Sequence, residues 1–282
     1  MTHSRGAIHE LLRSRGLAPR RELGQNFVAD PNTVRRIAHL AGVGRGDRVV
    51  EIGAGLGSLT LALAETGADV TAIEVDRGLA EALRCVVAAS PTGGRVEVVE
   101  ADAAAIDWSA QLNGSGWVLV ANLPYNVATP LICDLLDDVG AIERMLVMVQ
   151  REVAERLVAR PRTAAYGAVT VKVAFWSHAR IVGHVPASVF VPRPNVESSL
   201  VEIRRRRPPA ISPALVFGLV ATAFAHRRQM LRRTLADVVS PVQFAAAGVE
   251  PTARPEELDV DAWCRLAVAW DGSRPDAGGG AR

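Results

Sequence analysis

The regular alternation of strand and helix between residues 48 and 160 restricts the fold of this chain more than any other feature. Residues 48–53 (RVVEIG) read as a short buried strand ending in glycine. Residues 58–66 read as a helix, 69–75 (DVTAIEV) as a β-branched second strand, 77–89 as a helix and 96–100 (VEVVE) as a third strand. The series continues with a strand at 117–121 (WVLVA), a helix at 129–138, a strand at 144–149 (RMLVMV) and a helix at 151–160. A helix between each pair of strands implies a parallel sheet with helices on both faces. Two further strands are predicted at 168–177 and 197–203, joined by a stretch holding Pro186, Pro192 and Pro194. The expected fold class is therefore α/β, with a seven-stranded, mostly parallel sheet.

After the run Arg204 to Arg207 and Pro208-Pro209 the texture changes. Residues 212–238 and 260–270 have helical periodicity and no convincing strand. The expected organisation is an α/β domain over 1–207, with 1–22 as a flexible lead-in, a small all-helical domain over 208–270, and a disordered tail over 271–282. Apolar residues make up 49% of the chain, ample for such cores. No apolar run reaches the ~18 residues of a membrane span. Met1 to Arg21 lacks the apolar stretch of a secretory signal, so a cytoplasmic protein is expected. Cys85, Cys133 and Cys264 lie far apart, without zinc spacing; no metal is expected, and the thiols read as buried or half-buried.

A formal net charge of +2 does not announce nucleic acid, so the distribution of charge matters more. Lys172 is the only lysine, and arginines cluster at Arg20-Arg21, Arg35-Arg36, Arg204 to Arg207, Arg227-Arg228 and Arg232-Arg233. Each cluster is either a phosphate contact or a plain solvated face.

The glycine loop carries the first chemical signal. Glu51-Ile52-Gly53-Ala54-Gly55-Leu56-Gly57 sits between a predicted strand and a predicted helix, where glycines permit a tight turn and close approach of a ligand. Ser58 stands where a nicotinamide-binding loop would have glycine, and the phosphate-loop signature is absent. An ordinary strand-to-helix turn would explain the loop on its own. Two carboxylates argue otherwise. Glu74 ends the second strand, where an acid can accept from both ribose hydroxyls, and Asp102 follows the third, placed to accept from an adenine amine. This series resembles the class I (Rossmann-like) S-adenosylmethionine-dependent methyltransferases.

The second signal is Asn122-Leu123-Pro124-Tyr125, directly after the fourth strand. The adenine amino lone pair is delocalised into the ring, so that nitrogen is a poor nucleophile. Acceptors on its two N–H groups would draw it toward tetrahedral geometry. The Asn122 side-chain oxygen and the Leu123 carbonyl, fixed by Pro124, are the candidates. Tyr125 offers a face for an extruded base. The same residues could form a simple turn; the upstream loop favours function.

With its continuation to Thr129-Pro130, the motif resembles the bacterial small-subunit ribosomal RNA adenine dimethyltransferases, the family whose loss confers kasugamycin resistance. Gly24-Gln25-Asn26-Phe27-Val28 is similar to that family's N-terminal motif, which closes over the cofactor. Residues 190–198, from Phe190 through Pro192, Pro194 and Val196 to Ser198, match its FxPxPxVxS loop. Residues 224–235 and 254–258 resemble its helical-domain signatures, so the likeness runs from about Gln25 to about Leu266. Val28, Gln229, Pro255 and Asp259 depart from the pattern.

The resemblance implies S-adenosylmethionine as cofactor. It would be held by Gln25, Asn26, Val28, Gly53, Ala54, Gly55, Glu74, Val75, Asp102, Ala103 and Asn122. Asn122, Leu123, Pro124, Tyr125 and Phe190 would form the catalytic set, with the adenine between Tyr125 and Phe190. The implied partner is ribosomal RNA of the small subunit, gripped by the helical domain and arginine clusters. Nothing indicates an obligate dimer, so a monomer is expected. Three alternatives stay open: a macrolide-resistance-type enzyme acting on large-subunit RNA, a non-catalytic RNA or transcription-factor protein on the same fold, and a nicotinamide dehydrogenase. NLPY and the lysine-free GAGLG loop favour the small-subunit reading; Ser58 and NLPY speak against the dehydrogenase.

Overall fold

The structure is a computed structural model and describes residues 3–20 and 22–271. Helix α1 (Arg5–Ser14) precedes strand β1 (Phe27–Val28) and helix α2 (Pro31–Ala41). There follow β2 (Arg48–Ile52), α3 (Ser58–Glu65), β3 (Asp69–Glu74), α4 (Arg77–Ala88), β4 (Val96–Glu100), α5 (Trp108–Gln111), β5 (Trp117–Asn122), α6 (Ala128–Asp138), β6 (Ile142–Gln150) and α7 (Arg151–Leu157). Helix α8 (Ala168–Trp176) leads straight into β7 (Ser177–Val185), and then come β8 (Phe190–Val191) and β9 (Ser198–Arg205). Helices α9 (Pro213–Phe224), α10 (Leu231–Thr234), α11 (Pro241–Ala247) and α12 (Val260–Asp271) complete the described chain.

The main sheet has seven strands in the order β4-β3-β2-β5-β6-β9-β7. The first five are joined by parallel pairing, and β9 runs antiparallel to β6. Arg180 bonds Glu202 and His184 bonds Ser199, so β7 and β9 are also antiparallel. Strand order reverses between β2 and β5. In a doubly wound sheet, ligands bind beyond the carboxyl ends of the strands at such a switch point. The strands there are apolar because both faces are covered: Trp117–Ala121 of β5 is buried throughout. Helix α3 is buried all round from Leu59 to Ala64, as expected for a helix inside the layers. Capping is local: Asp30 accepts from Thr33 N–H at 2.8 Å, and Gly42 closes α2 in the left-handed region.

Two compact units emerge. One holds the chain up to Ala154 together with His178–Arg205; the other holds Glu155–Ser177 and the chain from Arg206. The expected division at Pro208 therefore needs correction, because residues 155–177 belong to the helical unit. The reason lies in 168–177, expected as a strand and found as α8. Val171 and Phe175 are buried with Val216, Leu219, Phe244 and Trp263, and the Phe175 ring meets Phe217 edge-on at 5.2 Å. Tertiary burial overrides the β-propensity of Val and Thr here. The seventh strand is instead 177–185. The expected tail falls outside the described residues, except for Asp271, which ends α12. The flexible lead-in needs correction too: residues 5–14 form α1, with Ile8 and Leu12 buried one turn apart beside Leu56, Leu79 and Val191. Cys133 and Cys264 are buried, but Cys85 is exposed.

Within the arginine run, position 205 does structural work. The Arg205 guanidinium donates to the carbonyls of Leu135, Leu136, Val139 and Ile142 at 2.7–2.9 Å. Three of these carbonyls close the C-terminal end of α6, which lacks a glycine cap, and that of Ile142 opens β6; those of Leu135 and Val139 also accept the N–H groups of Val139 and Ile142. Arg206 donates to the Phe175 carbonyl, and Arg204 pairs with Glu202. No helix among the described residues is long and apolar enough to cross a membrane.

Candidate active site

The glycine loop begins where β2 stops. Gly53, Gly55 and Gly57 all have positive φ (+73°, +57° and +84°), which L side chains rarely adopt. The N–H groups of Gly53 and Ala54 donate to the Ile73 carbonyl, tying the loop to β3. Glu74 at the end of β3 is buried, and both of its oxygens are engaged: Oε2 accepts from Gly55 N–H at 2.8 Å and Oε1 from Asp76 N–H at 2.9 Å. Burial raises its pKa while the backbone donors oppose that rise. One lone pair per oxygen is left for a ligand. Asp102 is exposed just beyond β4, and its Oδ1 accepts from Ala104 N–H at 2.9 Å.

The Asn122-Leu123-Pro124-Tyr125 turn leaves β5 on the other side of the switch point. Leu123 N–H donates to the Met148 carbonyl, holding the turn against β6. Asn122 Nδ2 donates to the Asn26 carbonyl at 2.8 Å, which assigns the amide orientation and leaves Oδ1 as the acceptor. Tyr125 is half-buried, and its hydroxyl bonds the buried Ser198 Oγ at 2.7 Å. Burial raises the phenol pKa, so the ring acts as a neutral surface.

The segment before α2 lies across both halves of the site. His3 Nε2 bonds the Leu56 carbonyl at 3.0 Å, and Arg20 pairs with Asp76 at 3.2 Å. Gln25 Nε2 reaches Asp76 Oδ2 at 3.5 Å, while Asn26 Nδ2 donates to the Gly24 carbonyl at 3.0 Å. Strand β1 pairs antiparallel with β8, so Val28 sits opposite Phe190. The Phe27 ring packs so closely over Gly55 that a Cβ there would meet Cε1 at 3.0 Å.

One cavity gathers Gln25, Asn26, Val28, Gly53, Ala54, Gly55, Glu74, Val75, Asn122 and Pro124. Asp102, Ala103, Leu123, Tyr125 and Phe190 are outside its lining. For Phe190 this is a correction. The ring is completely buried with Val34, Ile37 and Leu200, so in this structure it presents no face to a base. A motif match gives identity, not exposure. Sequence reasoning omitted Ile8, Phe27 and Glu51 as wall residues. The signal for Glu51 was present: a carboxylate between apolar residues of a central strand is buried by pattern alone.

The residues present fit an adenosine-containing cofactor, with a loop that a Cβ would fill, a buried acid at the end of β3 with acceptor capacity to spare, and a buried Glu51 oxygen with no partner. Gly55→Ala is expected to destabilise the fold by about 1–2 kcal/mol through the left-handed backbone alone. It should also weaken S-adenosylmethionine binding by more than about tenfold, roughly 1.4 kcal/mol. Calorimetric titration checks this, and unchanged affinity would remove the loop from the binding site.

A doubly wound sheet with an antiparallel edge, a glycine cradle and a polar turn at its switch point define a Rossmann-like methyltransferase. The profile of the family "Ribosomal RNA adenine dimethylase" matches residues 16–270, and the chain belongs to that family. It is 47% identical over 279 residues to ribosomal RNA small subunit methyltransferase A of Cutibacterium acnes, covering 93% of each protein. Against the protein of that description from Nocardia farcinica, identity is 47% over 265 residues, covering 90% of each. Among solved structures, a dimethyladenosine transferase from Plasmodium falciparum shares the fold, with a TM-score of 0.72 and 22% identity over 86% of this chain and 96% of that one. The 23S rRNA methyltransferase ErmE superposes with a TM-score of 0.64 at 27% identity, over 87% of this chain and 99% of that one.

Proposed function

We propose that this protein transfers methyl groups from S-adenosylmethionine to N6 of adenines in small-subunit ribosomal RNA, giving N6,N6-dimethyladenosine. The observation that carries the chemistry is the anchored Asn122 amide. Its nitrogen is occupied by the Asn26 carbonyl, so its oxygen is the group left to accept from a target amine. Bound S-adenosylmethionine supplies a methyl group already activated as a sulfonium. The work left to the chain is alignment and electrostatics rather than strong base catalysis. Asn122 Oδ1 and the Leu123 carbonyl accept the two N–H bonds of the adenine amine. Tyr125, braced by Ser198, supplies the stacking face. Gly53, Ala54, Gly55, Glu74 and Val75 hold the adenosine end of the cofactor, Asp102 and Ala103 its base, and Asn26 and Val28 its methionine end.

RNA contact falls to a subset of the arginines. Arg227 is tied to Glu256 and to the carbonyls of Thr163 and Ala164, a structural role within the helical unit. Arg228, Arg232 and Arg233 are exposed and are assigned to phosphates. The high coverage of small-subunit relatives supports the choice of RNA, and the protein is proposed to act as a monomer in the cytoplasm.

The test is transfer of labelled methyl from S-adenosylmethionine to ribosomal subunits from cells lacking adenine dimethylation, followed by nucleoside identification. Label in dimethyladenosine of the small subunit is the expected result. Label confined to large-subunit RNA would assign the protein to the macrolide-resistance chemistry, and no label at all would make it a binding protein on this fold.

A further inference from the structure

Glu202 on β9 is 7% exposed, and both of its oxygens accept from arginine: Oε2 from Arg180 Nε on β7 at 2.7 Å, and Oε1 from Arg204 Nη2 at 2.6 Å. Arg144 on β6 is the Cα partner of Arg204 across the antiparallel pair, so both point to one face of the sheet. Side chains alternate along a strand, which puts Glu202 on that face too. Arg144 donates to the Gly42 carbonyl at 3.4 Å. Helix α2 covers part of the same face, with Val34 and Ile37 in one cluster with Leu146, Met148 and Leu200. Arg36 of α2 donates to the His184 carbonyl of β7 at 3.3 Å, and a Cβ on Gly183 would meet its Nη2 at 2.6 Å.

Packing does not account for this arrangement. Like charges directly opposite on neighbouring strands are destabilising, and one arginine would suffice to neutralise Glu202. Asp47 is the other carboxylate that acts on Arg144. Four guanidiniums therefore meet two carboxylates, and the surplus of two charges equals the net charge of the whole chain, +2. At the other edge of the sheet the balance is different: Arg84 pairs with Glu100 and Arg95 with Asp69, one carboxylate to each arginine. The surplus is open to solvent, since the Arg180 and Arg204 side chains are 70% and 57% exposed and Arg36 is exposed. Each guanidinium has five N–H donors, and Glu202 takes one from each of Arg180 and Arg204. Planar donor edges left facing water suit the oxygens of a phosphate.

We propose that Arg36, Arg144, Arg180 and Arg204 form a second phosphate-binding face, on the α/β unit, that holds the substrate RNA by its backbone about 20 Å from the methyl-transfer turn. This rests on the RNA reading given above. The distance follows from the register. Gln150, six residues beyond Arg144 on β6, pairs with Ser198, whose hydroxyl bonds Tyr125. Six strand residues span about 20 Å, so these arginines cannot touch the target adenine. Along β7, Arg180 and His184 stand about 13 Å apart, which makes a face wide enough for more than one phosphate. Such contacts fix the register of a nucleic acid and carry no base information.

The experiment compares two double variants of the full chain that lose the same charge: Arg36→Gln/Arg180→Gln on the proposed face, and Arg84→Gln/Arg95→Gln at the β4 edge. Arg204 stays in the first, so Glu202 keeps an ionic partner. Binding to small ribosomal subunits lacking adenine dimethylation is measured between about 50 and 200 mM salt. The slope of log Kd against log salt should fall by about one for each phosphate contact removed, hence by about two in the first variant, and stay unchanged in the second. KM for subunits should rise about tenfold in the first variant while kcat at saturation holds within about twofold, as for a group that binds without touching the reaction. Affinity for S-adenosylmethionine should match wild type in both, which separates lost contact from lost fold. Arg36→Lys/Arg180→Lys should recover most of the salt slope, because an ammonium also partners phosphate. Wild-type slope and KM in the first variant, or equal losses in both variants, would overturn the face. Salt-independent binding by the wild type would overturn the RNA reading itself.

Discussion

Replacing Asn122 with alanine is expected to lower the single-turnover rate of methyl transfer by about 10²–10³-fold. The estimate rests on what a preorganised polar group at a reacting centre is worth in a site sheltered from water. Asn122 ends β5 at the switch point, and its amide nitrogen is held by the Asn26 carbonyl. Its oxygen is thus aimed before substrate arrives, and no reorganisation is needed when the adenine amine loses planarity. Alanine removes the acceptor and frees the Asn26 carbonyl, but leaves Glu74, Gly53 and Gly55 in place. Cofactor affinity should therefore change by only a few-fold, while the chemical step collapses. Asn122→Asp tests the anchoring: an ionised carboxylate has no N–H to give to the Asn26 carbonyl, so it too should be slow although it keeps an oxygen. Single-turnover rates within about threefold of wild type for Asn122→Ala would sink the acceptor role; threefold is roughly 0.7 kcal/mol of barrier.

Arg205→Met is expected to be the most destabilising single change considered. One guanidinium bonds the carbonyls of Leu135, Leu136 and Val139 at the end of α6 and of Ile142 in β6, and those of Leu135 and Val139 also accept a backbone N–H. Methionine fills similar space but donates nothing. Each buried carbonyl left unpaired costs about 1–3 kcal/mol, discounted here because Arg205 is partly accessible to water. A net loss of about 3 kcal/mol follows. That corresponds to a fall of roughly 10 °C in the melting transition of the α/β unit. Arg205→Lys should fall between, since an ammonium lacks the planar fork. Thermal melts followed by circular dichroism decide it. A shift below about 2 °C would mean water replaces the guanidinium at no penalty, against the estimate of about 3 kcal/mol.

Much of this architecture was legible in the chain because parallel strands announce themselves. Buried strands such as 117–121 are short apolar runs, and the glycines and carboxylates that follow them mark the ligand edge. The βα order needed nothing more, whereas the strand order that brings Gly53 beside Asn122 came only with the structure. What stayed hidden depends on contacts distant in sequence. Helix α8 has the residues of a strand and becomes a helix because Val171 and Phe175 are covered by α9 and α12. Phe190 carries the right motif but is buried in the cluster that holds Val34, Ile37 and Leu200. The joining of Arg20 and Gln25 to Asp76, and of Asn26 to Asn122, links residues tens of positions apart that share no period. Arg205 and Arg227 look like members of charge runs, and only the carbonyls they serve reveal otherwise.

The interleaving of the two units has a consequence for how the chain can be made and divided. The sheet of the α/β unit is not complete until β9 has been synthesised, yet α8, which precedes β7 and β9, finds most of its apolar partners only when α9 to α12 follow. During synthesis, Val171 and Phe175 must therefore wait uncovered while the sheet closes. A truncation at Pro208 would preserve that state permanently, leaving a greasy helix on an otherwise finished domain and a fragment inclined to self-associate. The catalytic half cannot be inherited or expressed as a tidy module. Loss of the C-terminal helices would be felt first as insolubility, before any question of RNA recognition arose.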